Sequence, residues 1–131
     1  MRRRILDTSV LIGHWRQQRT KCAWHEITPE ITASWARQLI TLLDTRAIVS
    51  PVLIEFLAGT QSTQELHLAR AYLDEFEVID QQVTPPSDWM EAQRLAQRIK
   101  SDGKPRQLGD CVIRAIARRL HYDVFSHDKS M

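Results

Sequence analysis

The sequence predicts an α/β protein, a three-layer α/β/α sandwich around a short central parallel sheet. Four short apolar runs, RRRIL, AIVS, EVID and YDVF, alternate with longer segments of helical periodicity. Strands separated in this way by helices pair in parallel through right-handed crossovers, with helices on both faces. The length of 131 residues suits one domain over 1–131, and no repeat, low-complexity tract or interior linker interrupts it.

Each element has its own signal. RRRIL is a strand ending at Asp7, and TSVLIGHWRQQ then reads as a helix with Asp7 or Thr8 as its cap. TKCAWHEITPE lacks a period and reads as a loop. Residues 30–43 carry Ile31, Trp35, Leu39 and Leu42 or Leu43 at helical spacing. AIVS is the second strand. Pro51 suits the first turn of a helix over VLIEFLAG, which Gly59 ends. TQELHLARAYLDEF is a further helix, followed by the strand EVID. PPSDWMEAQRLAQRIKSDG opens on a proline turn and runs as a helix to Gly103. KPRQLG is a loop, DCVIRAIARRL a helix and YDVF the last strand, before SHDKSM.

Composition excludes several classes. Apolar content of 43% and charged content of 26% are ordinary for a globular chain. A net charge of +2 permits a nucleic-acid partner without announcing one. Cys22 and Cys111 form no disulfide framework and lack metal-type spacing, and Cys111 reads as a small core residue. The basic start MRRR leads into an apolar run that Asp7 breaks at once, which is not a signal peptide. No run approaches the ~18–20 apolar residues of a membrane span. The expectation is a soluble, reduced, cytoplasmic protein with no membrane partner.

Four acids then stand out. In open α/β sheets, chemistry lies beyond the carboxyl ends of the strands. Asp7 follows the first strand directly. Glu55 lies one helical turn past AIVS, inside VLIEFL, where a charge is out of place. Asp110 opens the helix before the last strand, just after Gly109, and Asp128 follows YDVF with two residues between. Taken singly, Asp7 and Asp110 read equally well as caps or first-turn acids, worth about 0.5–2 kcal/mol each. Asp128 reads as a turn residue and Glu55 as a helix-edge residue. The four at one predicted rim are harder to explain that way. A lone buried carboxylate costs several kcal/mol, and crowded carboxylates repel. A divalent cation removes both conflicts, and oxygen-only ligands favour Mg²⁺ or Mn²⁺ over Zn²⁺. Such a site is suited to phosphodiester hydrolysis.

ILDTSVLI at the start, Glu55 after SPVLI, GDCVIRAIARRL with Asp110, and FSHDKSM with Asp128 together resemble a PIN domain. More narrowly, the chain is similar to the VapC-type toxins of bacterial type II toxin–antitoxin pairs. The resemblance runs in order over almost the whole chain. It implies an endoribonuclease that cleaves single-stranded or looped RNA with Mg²⁺ or Mn²⁺, and transfer RNA is a candidate by family analogy. Asp7, Glu55, Asp110 and Asp128 would be the acidic cluster. Asp7 and Asp110 or Asp128 would ligate metal, and Glu55 would bind metal or position water. Thr8 or Ser9, and Ser126, would be hydroxyls that orient those carboxylates, with plain cap and turn roles as the alternative. A hydroxide oriented by one of the acids would attack phosphorus in line, leaving a 5′-phosphate and a 3′-hydroxyl. The family also implies a homodimer and a cognate antitoxin, whose C-terminal segment inserts near the site. Two features depart from the family pattern. The stretch from Asp7 to Glu55 is long, with TKCAWHEITPE as an insertion, and the chain ends three residues past Asp128, where the family usually has a further strand or helix.

Arg16, Arg19 and Lys21 follow the first helix, and Arg94, Arg98, Lys100, Lys104 and Arg106 lead towards Asp110. Either group would line an RNA groove or form a solvated helix face. Arg114 is expected to pair with Asp110 one turn away. Trp35 and Trp89 fit apolar stripes and read as core or dimer packing, whereas Trp24 in the inserted loop is the better base-stacking candidate. The histidines, His14 and His127 among them, read as surface or rim residues. A haloacid-dehalogenase-type phosphatase is disfavoured, because the residue two after Asp7 is Ser9 and not a second Asp. The alternative from another class is a non-catalytic PIN-like module that binds RNA or protein.

Overall fold

A computed structural model describes residues 3–98 and 100–127. Its elements, in order, are β1 (Arg4–Leu6), α1 (Thr8–Arg19), α2 (Pro29–Leu43), β2 (Ala47–Ile48), α3 (Ser50–Ala58), α4 (Thr63–Leu73), β3 (Glu77–Val78), α5 (Pro86–Ala96), α6 (Leu108–Leu120) and β4 (Asp123–Phe125). The inserted segment, expected as loop, carries one 3₁₀ turn over Trp24–Glu26.

All pairing among these strands is parallel. β1 pairs with β4, with Leu6 opposite Phe125, and β2 pairs with β3, with Ile48 opposite Val78. The strands are too short for one unbroken ladder, so the sheet consists of two paired halves. β1 and β2 lie side by side at the seam. There the Thr45 hydroxyl donates to the Arg4 carbonyl oxygen at 2.7 Å. Ile5, Leu6, Ile48 and Val49 are fully buried, which parallel strands require when helices cover both faces. α2 packs on α4, α5 packs on α6, and α3 touches α1, α4 and α6.

Local chemistry explains most helix starts. The Thr28 side chain accepts from the Ile31 N–H at 3.3 Å, with Pro29 at the first helical position of α2. Ser62 does the same for α4, accepting from the Glu65 N–H at 3.0 Å. The start of α3 is held from a distance: buried Asp80 accepts from both the Ser50 N–H (3.1 Å) and the Ser50 hydroxyl (2.8 Å). α5 stops at Ala96, short of the expected Gly103. The Gly103 N–H instead closes a separate turn onto the Lys100 carbonyl at 3.0 Å, with φ at 73°, a conformation that glycine adopts without strain.

The core centres on Trp15, Trp35, Phe56, Tyr72 and Phe76, with ring centroids between 5.1 and 5.6 Å. His14 joins this cluster from its edge, half-buried, with one side on the Tyr72 ring and the other on a cleft shared with Phe125 and His127. Its Nδ1 lies 2.8 Å from the Tyr72 hydroxyl. Burial pushes the Tyr72 phenol up, so it stays protonated. Burial, and then the charge of Lys21, pulls His14 down. Of the two alternatives at the end of the α2 stripe, Leu42 is 78% exposed and Leu43 packs on the core, and Trp89, at 48% exposure, is not a core residue. In α2 the inward stripe is Trp35 and Leu39 with Leu43 packed beside them. In α5 Ala92 takes the buried position.

Candidate active site

Asp7 stands where β1 hands over to α1, and its N–H donates to the Phe125 carbonyl at 3.0 Å, continuing the β1–β4 ladder. It occupies the N-cap position of α1, yet its side chain makes no capping hydrogen bond. The carboxylate turns instead towards hydroxyls. Ser126 Oγ donates to Asp7 Oδ2 at 2.8 Å, and Ser9 Oγ donates to the same oxygen at 3.2 Å. Ser9 Oγ in turn accepts from the His127 N–H at 3.1 Å. Asp7 is buried, at 7% exposure, and has no ion-pair partner among the described residues.

Glu55 reaches the same end of the fold from α3. Its backbone faces outward, which corrects the expectation that VLIEFL leaves little exposed face: Val52 and Phe56 point to the core, while Ile54 and Glu55 are exposed. Thr8 Oγ1, at the first position of α1, donates to Glu55 Oε1 at 2.6 Å. On its other side the carboxylate lies against Gly109 in the first turn of α6. A Cβ there would stand only 2.6 Å from Glu55 Cδ. Glu55 is therefore wedged between the first turns of two helices, whose unpaired N–H groups favour negative charge.

Asp110 is the third residue of α6, which begins two residues earlier than expected. The expected pair with Arg114 is present: Arg114 Nε donates to Asp110 Oδ1 at 2.9 Å. Arg106 Nη1 stands 4.0 Å from Asp110 Oδ2. Burial pushes the neighbouring Cys111 thiol up, and the charge of Asp110 pushes it further, so this thiol stays protonated. Asp128 lies outside the described residues. Three other buried acids, Glu65, Asp80 and Asp88, were not singled out by the sequence, and each is satisfied within the fold. Glu65 accepts from Trp15 Nε1 and Arg19, and Asp88 binds Arg119 through both oxygens at 2.8 and 3.1 Å.

The donor chemistry at this rim fits a hard cation. Oxygen is the ligand type throughout, Asp7 keeps Oδ1 clear of protein hydrogen bonds among the described residues, and Gly109 leaves the space that Glu55 fills. Among the described residues, however, no three His, Cys, Asp or Glu side chains stand close enough to hold an ion together. Next to Glu55, an apolar cleft of about 660 Å³ runs between α3 and α5–α6, lined by Ile54, Trp89, Leu108 and Gly109 among others. A second cleft of about 750 Å³ carries Arg98, Arg106, Arg114 and Arg118. The earlier basic group is partly used inside the fold: Arg19 binds Glu65 at 3.1 Å and covers the Trp24 ring at 4.4 Å.

Parallel strand pairs packed among helices, with Asp7 at the end of β1 and Asp110 in the first turn of α6, define the fold as α/β. The PIN domain family model matches residues 4–131, and the chain belongs to that family. PIN domains are generally nucleases, act on nucleic acid and usually use divalent metals. No curated protein matches the sequence significantly. Among the described residues no helix is long and apolar enough to cross a membrane.

Proposed function

We propose that this PIN domain is a Mg²⁺- or Mn²⁺-dependent endoribonuclease, the toxin component of a type II toxin–antitoxin module. The observation that supports the site most directly is the wedging of Glu55 between Thr8 and Gly109. It brings the residues next to Asp7 and Asp110 onto one carboxylate. Asp7, Asp110 and Asp128 would hold the metal, and Glu55 would complete the cluster. Bound there, the metal would polarise the scissile phosphate and lower the pKa of a water.

The chain's own residues do the rest. Ser126 and Ser9 fix the Asp7 carboxylate by occupying Oδ2 and directing Oδ1 outward. Glu55, exposed, accepts from Thr8 at Oε1 and rests Oε2 against Gly109, which fixes the carboxylate as the group that would orient or deprotonate the attacking water. The arginine cleft beside Asp110 supplies phosphate contacts for an RNA strand. The exposed Ile54, Trp89, Met90 and Leu108 around the apolar cleft support a homodimer. A cognate antitoxin belongs to the same proposal.

The test is incubation of the parent chain and of Asp7→Asn with total RNA and Mg²⁺. The parent is expected to give discrete fragments, and the variant to be slower by on the order of 100-fold or more. EDTA should abolish the fragments. Equal products from both chains would assign the activity elsewhere. RNA affinity that needs no Mg²⁺, with no cleavage, would favour a binding module.

A further inference from the structure

Asp110 differs from the other two described acids of the rim in what surrounds it. Asp7 and Glu55 take hydrogen bonds from the hydroxyls of Ser9, Ser126 and Thr8. Asp110 takes charge from arginines at both oxygens, Arg114 at Oδ1 (2.9 Å) and Arg106 at Oδ2 (4.0 Å). Arg114 is one turn along the same helix, so its pairing alone would be an ordinary intrahelical contact. Arg106 precedes α6 and approaches from the other side. It is itself anchored, through an Nε–H that donates to the Arg98 carbonyl oxygen at 2.8 Å. Both guanidinium side chains are largely buried, at 12% and 16% exposure, where solvent and salt screen them weakly.

A carboxylate so held is offset by two positive charges that oppose the approach of another cation, and Oδ1 already accepts a charge-assisted hydrogen bond from Arg114. This fits the absence, among the described residues, of three acidic or imidazole groups close enough to share an ion. We propose that Arg106 and Arg114 form a latch on Asp110 that competes with the divalent metal for this carboxylate, so that loading the site works against the Arg114 bond and both arginine charges. The latch rests on the metal reading given under Proposed function. Arg114 is then a positioning residue: it keeps Asp110 at the rim without metal and sets the metal concentration at which the site fills.

The experiment is Mn²⁺ titration followed by electron paramagnetic resonance, with no RNA present. Arg114→Ala should bind Mn²⁺ tighter than the parent by on the order of tenfold, the scale of one charge-assisted hydrogen bond. Arg118→Ala removes an equal charge from the same cleft, where Arg118 pairs with Glu91 at 3.1 Å. It should change affinity by no more than about twofold, because a partly exposed charge acts only through the screened field. In an Asp110→Asn background, Arg114→Ala should lose its effect. Arg114→Gln guards against an Ala variant that folds poorly, and it should tighten binding in the same direction. Equal effects of Arg114→Ala and Arg118→Ala, or an Arg114→Ala effect that survives Asp110→Asn, would overturn the latch. Mn²⁺ affinity unchanged by Asp7→Asn would overturn the metal reading itself, and the latch with it.

Discussion

At the scale of single residues, one missing side-chain carbon makes room for the Glu55 carboxylate against the start of α6. Gly109 lies in the first turn of a helix, where replacing glycine by alanine ordinarily gains about 0.5–1 kcal/mol. Here the added carbon would enter the space of the Glu55 carboxylate. Glu55 is the end of a flexible side chain and can swing away, so Gly109→Ala should melt close to the parent. Cleavage should nevertheless fall on the order of tenfold or more, because Glu55 would leave its place between Thr8 and α6. Combined with Glu55→Ala, Gly109→Ala should slow cleavage no further than Glu55→Ala alone, and a further loss would show that Gly109 acts by another route. Asp7 was legible in the sequence because a charge in an apolar strand end has few explanations. Glu55 was legible for a wrong reason. VLIEFL is apolar on two faces, one turned to the core through Val52 and Phe56 and one lining an open cleft through Ile54, and a one-dimensional pattern cannot separate them. The Arg114–Asp110 pair could be read from its spacing, whereas Arg106 comes from a loop whose path has no period.

At the scale of elements, the position of α3 depends on a residue that the sequence did not advertise. Asp80 sits just past β3, whose alignment with β2 is continued by the Ile79 N–H donating to the Ile48 carbonyl at 3.0 Å. From there it binds the N–H and the hydroxyl of Ser50, and so fixes where the Glu55 helix starts. Asp80→Ala should lower the unfolding free energy by about 1–3 kcal/mol, since buried donors lose their acceptor. It should also slow cleavage, although Asp80 touches no rim acid. Urea denaturation with an RNA cleavage assay checks both, and an unchanged cleavage rate in a destabilised but folded variant would confine Asp80 to stability. Helix starts were readable at Pro51 and at the proline turn before α5, whereas Pro29, placed in the loop, in fact opens α2. The end of α5 was not readable, because Gly103 marks a later turn and the helix stops without a glycine. The strands were found but overdrawn: AIVS and EVID supply only Ala47–Ile48 and Glu77–Val78 to the ladders, and Ser50 already belongs to α3.

At the scale of the whole molecule, three of the exposed apolar side chains fall together. Ile54, Trp89 and Leu108 border one cleft, at 63%, 48% and 74% exposure, and Glu55 shares it. A second copy covering this face would put two acidic rims near one interface. Trp89→Glu should therefore convert a dimer to a monomer in sedimentation velocity, with the far-ultraviolet spectrum unchanged. A monomeric parent chain would remove this face from the proposal. The reading of Trp89 as core or dimer packing shows why partner surfaces are hard to see in a sequence: a ring covered by its own fold and one covered by a neighbour leave the same helical stripe. The α/β class and the parallel pairing of the strands were visible because alternation of elements constrains topology strongly.

The hydroxyl of Ser126 reaches Asp7 across 119 positions of sequence, and β4 docks on β1 to bring it there. Removing β4 and the residue after it would therefore strip Asp7 of its nearer hydroxyl partner and leave Ser9, at 3.2 Å, as the remaining hydroxyl donor to that carboxylate.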